Sequence, residues 1–323
     1  MKKVVIVNDT RSDGHYGCYA VMEAVVTIIS RLGMEIIHSQ AVDKPWIEDT
    51  EFLQKAAQAD LMIVNGEGTI HHSWSRAQLL ARIGPFCRRT LRIPSILINS
   101  TFYQNSVDTY AQLADFSLVA VRDKASAVEA ARFGLRDMAY CPDLSMYHDY
   151  SGLREKRENA TPLRIGASTS TLKDVKLQIQ RYIEDKNVEN INIFYNKKNP
   201  AADSIFTCAR KLASLDLLIT GQFHATCFAI ATRTPFVSIT SNTPKIENLL
   251  TDAFGSTRRV MSFKDVEKIN PEEFASWTPE EEEALTRFEA RRKELYGALS
   301  RAIAGVAGGQ LAREAIPAVA RAV

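Results

Sequence analysis

The sequence predicts an α/β protein made of two domains, each with a parallel β-sheet. Short apolar runs alternate with longer segments of helical periodicity, which is the pattern of repeated βα units. This pattern is interrupted over residues 147–161, where apolar periodicity is lost and charge increases. The chain has 323 residues, more than one hydrophobic core usually organises. We therefore expect one domain over residues 1–150 and another over residues 151–323.

The first half is expected to hold six strands separated by five helices. The strands are the apolar runs Lys3–Asn8, Glu35–His38, Leu61–Asn65, Ser95–Asn99, Leu118–Val121 and Met138–Cys141. The helices are Gly17–Arg31, Thr50–Gln58, Ser75–Arg89, Ser106–Leu113 and Asp123–Phe133. The last of these helices is the clearest, because Asp123 is a good N-cap and Gly134 follows its end.

The second half repeats the same alternation and ends in a long helix. Its expected strands are Leu163–Ala167, Ile191–Phe194, Leu215–Thr220, Phe236–Ile239 and Arg259–Met261. The long helix should begin near Thr278, because Thr278 and Glu281 match a capping box and Pro279 suits the first helical position.

The composition is that of a soluble globular protein, with 46% apolar and 24% charged residues. A formal net charge of +2 gives no reason to expect nucleic acid as a partner. The five cysteines form no C-x-x-C pair, which argues for reduced thiols and against a zinc cage or a disulfide framework. Neither a signal peptide nor a membrane-spanning run is recognisable. We expect a cytoplasmic protein without a bound metal.

The turn after the first strand, residues 8–16, is the first candidate binding segment. Ligands of open α/β sheets bind at the carboxyl ends of the strands, so Asn8, Arg11 and His15 are placed to contact one. A long surface loop is the alternative.

The turn after the third strand has a stronger functional pattern, Gly66-Glu67-Gly68, followed by His71 and His72. Two glycines allow a ligand to approach the backbone, and the carboxylate between them can act as a base or bind sugar hydroxyls. The alternative is a tight turn in which Glu67 is a solvated surface residue.

Two other strand ends carry polar side chains. Arg122 follows the strand Leu118–Val121, where a guanidinium can bind a carboxylate or phosphate, although an ion pair with Asp123 or Asp143 is the alternative. Ser168 lies in a hydroxyl-rich segment that suits phosphate or sugar contacts and equally suits an ordinary loop.

The segment from Leu215 to Leu250 contains two further turns of this kind. Gly221, Gln222 and His224 follow a buried strand and open a helix. Ser241, Asn242 and Lys245 follow the next strand and open another helix. Helix N-termini offer free N–H groups and a positive dipole end to an anion.

Four motifs together resemble the polysaccharide pyruvyl transferase family over roughly residues 1–255. They are VNGEGTIHH, SLVAVRDKAS, CPDL and ITGQFHATCFAIATRTPFVSITSNTPKIENLL. The resemblance implies a GT-B-like pair of Rossmann-like domains facing a cleft. It also implies an enzyme that moves a pyruvyl group from phosphoenolpyruvate to a sugar of a bacterial-type cell-surface glycan, closing a ketal.

In the resemblance, the family's G-R-x-H turn falls on Gly221, Gln222 and His224, and its basic residue after the strand falls on Lys245. The other roles follow from position at the strand ends, and no cofactor beyond the donor substrate is expected. His224 is the first choice for the catalytic acid or base, and Glu67 is the second. The residues expected to bind the donor are Arg122 of the N-terminal domain and, in the C-terminal domain, Gly221, Gln222, Ser241, Asn242, Lys245 and Ser168. Acceptor binding is expected from Asn8, Arg11, His15, Gly66, Gly68, His71 and His72 of the N-terminal domain.

One position departs from the family pattern. The arginine of the family's G-R-x-H turn is Gln222 here, and a neutral amide cannot replace a bidentate guanidinium. Arg122, Lys245, Arg11 or Lys173 would then hold the donor anion. The alternative is a GT-B-like glycosyltransferase that uses a nucleotide sugar, and a third interpretation is a non-catalytic glycan- or phosphate-binding protein.

The expected partner is a sugar or a lipid-linked glycan acceptor, which leaves peripheral membrane association open. The sequence does not predict the oligomeric state.

Overall fold

The computed structural model describes residues 1–154, 162–186, 188–195, 204–316 and 321. The chain divides into two compact α/β units, each built from separate stretches. The first unit comprises Met1–Asp13, Met22–Leu144 and Arg292–Val323, and the second comprises Gly14–Val21 and Ser145–Arg291. The chain passes from the first unit to the second after Leu144, near the boundary expected at residue 150. However, residues 14–21 belong to the second unit and residues 292–323 belong to the first. Residues 155–161 of the expected linker lie outside the described residues.

The first unit contains a six-stranded parallel sheet. Its strands are β1 (Lys3–Asp9), β2 (Glu35–Ala41), β3 (Leu61–Glu67), β4 (Ser95–Ser100), β5 (Leu118–Val121) and β6 (Ala139–Tyr140). Their order across the sheet is β2-β1-β3-β4-β5-β6, and every pair is parallel. The carboxyl ends of β1, β3, β4 and β5 therefore meet at one edge.

The second unit contains a five-stranded parallel sheet. Its strands are β7 (Ile165–Ser170), β8 (Glu189–Ile191), β9 (Leu217–Gly221), β10 (Phe236–Ile239) and β11 (Val260–Met261). The order is β11-β10-β9-β7-β8, again with parallel pairs. The strand β9 is therefore central, with β10 on one side and β7 on the other.

Helices connect the strands of both sheets. Those up to residue 131 are α1 (Tyr16–Arg31), α2 (Thr50–Ala56), α3 (Ser75–Ala81), α4 (Ile83–Pro85), α5 (Val107–Leu113) and α6 (Lys124–Ala131). Those that follow are α7 (Lys173–Lys186), α8 (Ile205–Ala213), α9 (Phe223–Ala231), α10 (Lys245–Phe254), α11 (Pro271–Phe274), α12 (Pro279–Ala307) and α13 (Ala312–Ala315).

Central strands of both sheets carry buried apolar residues on both faces, as expected of parallel sheets covered by helices. In β9, Leu218 packs into one hydrophobic cluster, whereas its neighbours Leu217 and Ile219 pack into another. In β1, Val5 and Val7 join the main cluster of the first unit, and the alternating residues Val4 and Ile6 are buried as well. This double burial explains why the strands appear in the sequence as continuous apolar runs.

The long helix α12 confirms the capping box. The Thr278 backbone N–H donates to Glu281 Oε2 at 3.0 Å, and the Glu281 N–H donates to Thr278 Oγ1 at 3.3 Å. One face of this helix is apolar and buried; its members are Leu285, Phe288, Leu295, Tyr296, Leu299 and Ile303.

Two expected elements differ in the structure. The helix expected over Ser75–Arg89 is broken into α3, α4 and a π-helical turn, Phe86–Leu91. Pro85 lacks the N–H needed to continue a regular helix. The strand expected at Ile191–Phe194 is β8, which ends at Ile191. Beyond it, the Tyr16 N–H donates to the Ile193 carbonyl at 3.0 Å, so this segment pairs with the start of α1 instead of the sheet.

Within the described part of the chain, no helix combines the length and hydrophobicity required to cross a lipid bilayer.

Candidate active site

Glu67 ends β3 inside a buried polar network of the first unit. Its Oε1 accepts hydrogen bonds from Thr10 Oγ1 at 2.5 Å and from Asn65 Nδ2 at 3.0 Å. Asn8 of β1 donates from Nδ2 to the Asn65 carbonyl at 2.6 Å. Glu67 is only 8% exposed, so it is not the solvated residue of the alternative interpretation. The network fixes a carboxylate at the carboxyl ends of two adjacent strands.

Left-handed backbone occurs at the same edge of this sheet. Asn8, Glu67 and Asn99 have φ angles of 66°, 43° and 57°, at or near the ends of β1, β3 and β4. Each such non-glycine residue costs roughly 1–3 kcal/mol and persists where its surroundings hold it. Strain of this kind concentrates at functional sites, which supports a site at this edge.

Arg11 is held by a carboxylate of its own unit. Its guanidinium donates to Asp9 through Nε at 3.0 Å and through Nη2 at 2.5 Å. Burial tends to raise the pKa of Asp9, but hydrogen bonds from Arg11 and Ser39 outweigh it and hold that pKa below its usual value. Arg11 therefore keeps Asp9 ionised, and a role for Arg11 in acceptor binding stays a prediction.

Arg122 forms the buried ion pair that the sequence offered as its alternative. Its Nη1 donates to Asp143 Oδ2 at 2.8 Å, and its Nε donates to Thr101 Oγ1 at 2.7 Å. The two charged side chains are 2% and 0% exposed. This pair ties the end of β5 to the segment after β6, and contact of Arg122 with a donor stays a prediction.

Strand packing explains why position 66 is a glycine. A Cβ at Gly66 would lie 1.8 Å from Ser100 Oγ of the adjacent strand β4. A role for Gly66 in acceptor binding stays a prediction. Gly68 lies beside Arg122, whose Nη2 would be 3.1 Å from an added Cβ.

His71 and His72 belong to a cluster of four rings, His71, His72, Trp74 and Tyr103, which we call the aromatic platform. The Nδ1 atoms of the two histidines lie 2.8 Å apart. The His72 ring stacks on Trp74 at 5.5 Å with an interplanar angle of 24°, and it lies 5.3 Å from the Tyr103 ring. Sequence analysis did not identify Trp74 or Tyr103, because their convergence depends on the pairing of two loops.

His224 lies at the start of α9 and packs against the backbone of Gly17 at the start of α1. A Cβ at Gly17 would lie 2.2 Å from His224 Cγ and 2.5 Å from its Nδ1. The His15 ring is 5.3 Å from the His224 ring. All three residues belong to the second unit, so the structure places His15 beside His224, and a role for His15 in acceptor binding stays a prediction.

The tautomer of His15 follows from its hydrogen bond. Its Nδ1 accepts the Gly17 backbone N–H at 2.9 Å, which places the proton of the neutral ring on Nε2. Burial, followed by the charge of His224, lowers the pKa of His15 to about 3. His15 is therefore a neutral N–H donor next to His224.

This pKa predicts an acid sensitivity that His15→Asn should reduce. The folded protein binds the His15 proton only near pH 3, whereas the unfolded chain binds it near pH 6.5. As the pH falls from about 6.5 to about 3, the unfolded state therefore gains stability relative to the folded state. Asparagine keeps an acceptor for the Gly17 N–H and removes the titration. We expect urea unfolding between these pH values to show a smaller loss of unfolding free energy in the variant; equal losses would contradict the assignment.

Cys18 brings a third ligand-type atom to the two histidines. One such atom from each of His15, Cys18 and His224 lies within 4.8 Å of the others. Sequence analysis considered only C-x-x-C pairs and so did not find this group. However, a metal ion requires a free ring lone pair, and the Gly17 N–H occupies that of His15 Nδ1. The arrangement therefore fits a hydrogen-bonded imidazole better than a metal-bound one.

Gln222 is buried at the end of β9. Its backbone N–H donates to Thr220 Oγ1 at 3.0 Å, and Thr220 Oγ1 lies 2.5 Å from Ser168 Oγ. Among the described residues, no group hydrogen-bonds to Gln222 Oε1, although the residue is only 5% exposed. Ser168 is fully buried and bound to the neighbouring strand, and Gly221 packs on Ser170. Donor contact by Ser168, Gly221 and Gln222 stays a prediction.

Ser241, Asn242 and Lys245 form a partly exposed turn between β10 and α10. Lys245 Nζ and Ser241 Oγ each donate to Asn242 Oδ1, at 3.0 Å and 3.2 Å. Because β10 pairs in parallel with β9, this turn and Gln222 both lie at the carboxyl ends of neighbouring strands.

The two parallel sheets, covered by helices on both faces, define the chain as a GT-B-like α/β protein. It is similar to UDP-GlcNAc 2-epimerase of Methanocaldococcus jannaschii, solved with UDP-GlcNAc and UDP, at a TM-score of 0.51 and 12% identity over 92% of this chain and all of that one. It is also similar to a functionally uncharacterised protein of Klebsiella pneumoniae subsp. pneumoniae, at a TM-score of 0.50 and 12% identity over 81% of this chain and 92% of that one. These similarities establish the fold alone.

The family follows from the sequence match. The family model for polysaccharide pyruvyl transferase matches residues 15–243. The chain belongs to this family and is a transferase whose acceptor is a sugar or glycan. No curated protein gives a significant match.

Proposed function

We propose that this protein transfers a pyruvyl group from phosphoenolpyruvate to a sugar of a bacterial-type cell-surface glycan and closes a ketal on two hydroxyls. The observation that carries the proposal is the placement of His224. Its imidazole lies at the start of α9, is fixed against Gly17, and belongs to the residues matched by the family model.

Donor binding is assigned to the second unit. Lys245 opens α10 at the end of β10, and α9 opens at the end of the adjacent strand β9. A lysine ammonium and two helix N-termini suit the carboxylate and phosphate of phosphoenolpyruvate. Arg11 and Arg122, by contrast, bind carboxylates of the first unit.

Acceptor binding is assigned to the first unit. Glu67 and the aromatic platform lie at the carboxyl edge of its sheet and offer a carboxylate and ring faces to a sugar. The division of the chain into a donor-binding and an acceptor-binding part is thus kept as a proposal, with His15 moved to the donor part.

The reaction begins when a general acid protonates the methylene carbon of phosphoenolpyruvate, so that positive charge develops at the adjacent carbon. A sugar hydroxyl forms a C–O bond to that carbon while a base accepts its proton. Inorganic phosphate leaves with the electrons of its C–O bond. A second hydroxyl then attacks, loses its proton and closes the ketal. His224 is the proposed acid, because its neighbour His15 stays neutral, and Glu67 is the second candidate.

The donor is tested directly by ligand-induced stabilisation. Phosphoenolpyruvate should raise the melting temperature of the purified protein in a concentration-dependent way, since a ligand that binds only the folded state stabilises it. Inorganic phosphate at equal ionic strength controls for unspecific anion binding. Stabilisation by a nucleotide sugar, with none by phosphoenolpyruvate, would refute the pyruvyl assignment.

Gln222 favours a second candidate, a glycosyltransferase that uses a nucleotide sugar in surface polysaccharide synthesis. A buried neutral amide at this position suits hydroxyl groups better than a carboxylate. The same titration with nucleotide sugars distinguishes the two donors. A protein stabilised by its ligand but without turnover would support the non-catalytic interpretation.

Gly17→Ala should impair catalysis by displacing His224. A methyl group at this position would overlap the imidazole, and misplacement of a catalytic group by about 1 Å can cost about 10²-fold in rate. Gly297→Ala is the matched control, because it is also a helical glycine and its added Cβ would meet only Arg301 Nη1, at 3.4 Å. Transfer rates and melting temperatures of both variants should be measured. Equal rates in the two variants would contradict this role of Gly17.

A further inference from the structure

Trp74 exposes a large aromatic side chain at the functional edge of the first unit. It is 58% exposed and lies between the end of β3 and the start of α3. An indole ring left in contact with water forgoes a large burial energy, so such a ring is often retained for a ligand or partner.

The segment that presents Trp74 has a strained backbone. His72 and Ser73, which precede it, have φ angles of 53° and 49°, and Gln104 of the facing loop has 51°. Left-handed backbone at non-glycine residues is retained where the surrounding structure enforces it and is frequent in ligand clamps.

Hydrogen bonds between the two loops provide that enforcement. The His72 N–H donates to the Tyr103 carbonyl at 2.8 Å, and the Ser73 N–H donates to Asn105 Oδ1 at 3.0 Å. The Ser106 N–H donates to Ser73 Oγ at 2.7 Å. The backbone that leads into Trp74 is therefore held by hydrogen bonds before any ligand binds, which reduces the entropy cost of binding.

The chemistry of the aromatic platform indicates what it binds. The Trp74 indole contacts the His71 and His72 imidazoles, and the His72 ring in turn contacts the Tyr103 phenol ring, so an apolar surface is combined with hydrogen-bonding atoms. A pyranose ring is complementary, since one face presents C–H groups and the rim presents hydroxyls.

We propose that the aromatic platform binds a pyranose ring of the acceptor glycan, with Trp74 as the stacking residue. This inference rests on the proposed function for the identity of the ligand as an acceptor. It assigns sugar recognition to Trp74 and Tyr103 of the first unit, whereas proton transfer is assigned to His224 of the second unit.

Saturation-transfer NMR with methyl β-D-glucopyranoside, methyl β-D-galactopyranoside and methyl α-D-mannopyranoside tests the proposal without requiring turnover. At least one glycoside should receive saturation on the C–H groups of one ring face. Trp74→Ala should reduce this signal about tenfold, as expected when an aromatic contact residue is removed. Trp74→Phe should retain most of it.

Phe133→Ala is the matched control, because Phe133 is another exposed aromatic residue of the first unit, 44% exposed and stacked on Tyr110. It should bind the glycosides as the wild type does. Equal signals in wild type and Trp74→Ala, no signal from any of the three glycosides, or Trp74-dependent binding of uridine instead would overturn the proposal. Failure of phosphoenolpyruvate to bind or react, with glycoside binding intact, would instead refute the proposed function.

Discussion

His224→Gln is expected to lower the rate of pyruvyl transfer by about 10²- to 10⁴-fold, the usual contribution of one general acid or base. Glutamine has a polar side chain of similar length, but its amide does not act as an acid or a base near neutral pH. The imidazole is the proton carrier in this proposal because His15 beside it is kept neutral by burial. Release of phosphate from phosphoenolpyruvate in the presence of an accepted glycan measures the effect.

His38→Gln is the matched control for this substitution. His38 lies on β2 of the first unit, where its Nε2 is 2.8 Å from Gln40 Oε1. This variant should turn over at the wild-type rate. Circular dichroism should show that both variants are folded. If His224→Gln kept more than about a tenth of the wild-type rate, His224 would not be the acid, and Glu67→Gln would be the next substitution to examine.

Asp143→Ala is expected to reduce the free energy of unfolding by about 3–5 kcal/mol, because it leaves the Arg122 guanidinium buried without its counter-charge. The pair is almost wholly inaccessible to solvent, and Asp143 also offers its carbonyl to the Tyr296 hydroxyl at 2.9 Å. The latter contact involves the backbone and survives the substitution. Urea denaturation followed by tryptophan fluorescence measures the loss.

Two further variants separate charge pairing from other effects. Asp265→Ala breaks a surface pair with Lys268, so its cost should be within about 1 kcal/mol. Arg122→Met combined with Asp143→Leu removes both charges and should recover much of the lost stability. A small loss in Asp143→Ala, comparable to that of Asp265→Ala, would show that the ion pair is not structural and would leave Arg122 for donor binding.

The order and type of most elements were predictable from local sequence. The runs Leu118–Val121 and Phe236–Ile239 are strands with the predicted bounds, because apolar residues on both faces of a parallel strand leave a continuous pattern. The start of α12 was predictable for a different reason, since its capping box is complete within four residues. The break in the helix after Ala81 was missed although Pro85 marks it.

The site was only half predictable. The rule that ligands bind at strand ends selected Asn8, Glu67 and His224, and all three lie at carboxyl edges of the sheets. Their partners depend on contacts between distant segments, such as Thr10 with Glu67 and Gly17 with His224. Periodicity and turn chemistry carry no information about such pairs. Trp74 was not predicted, because its exposure depends on the geometry of the loop between β3 and α3.

The interleaved composition of the two units has a consequence for synthesis on the ribosome. N-terminal domains commonly fold while the rest of a chain is still being translated. Here the second unit needs residues 14–21, which emerge early, and the first unit needs residues from Arg292 onward, which emerge late. The first unit therefore cannot be completed until the residues from Arg292 onward have been translated, and residues 14–21 must wait for the second unit. Expressing residues 1–150 and 151–323 as separate fragments would divide both units.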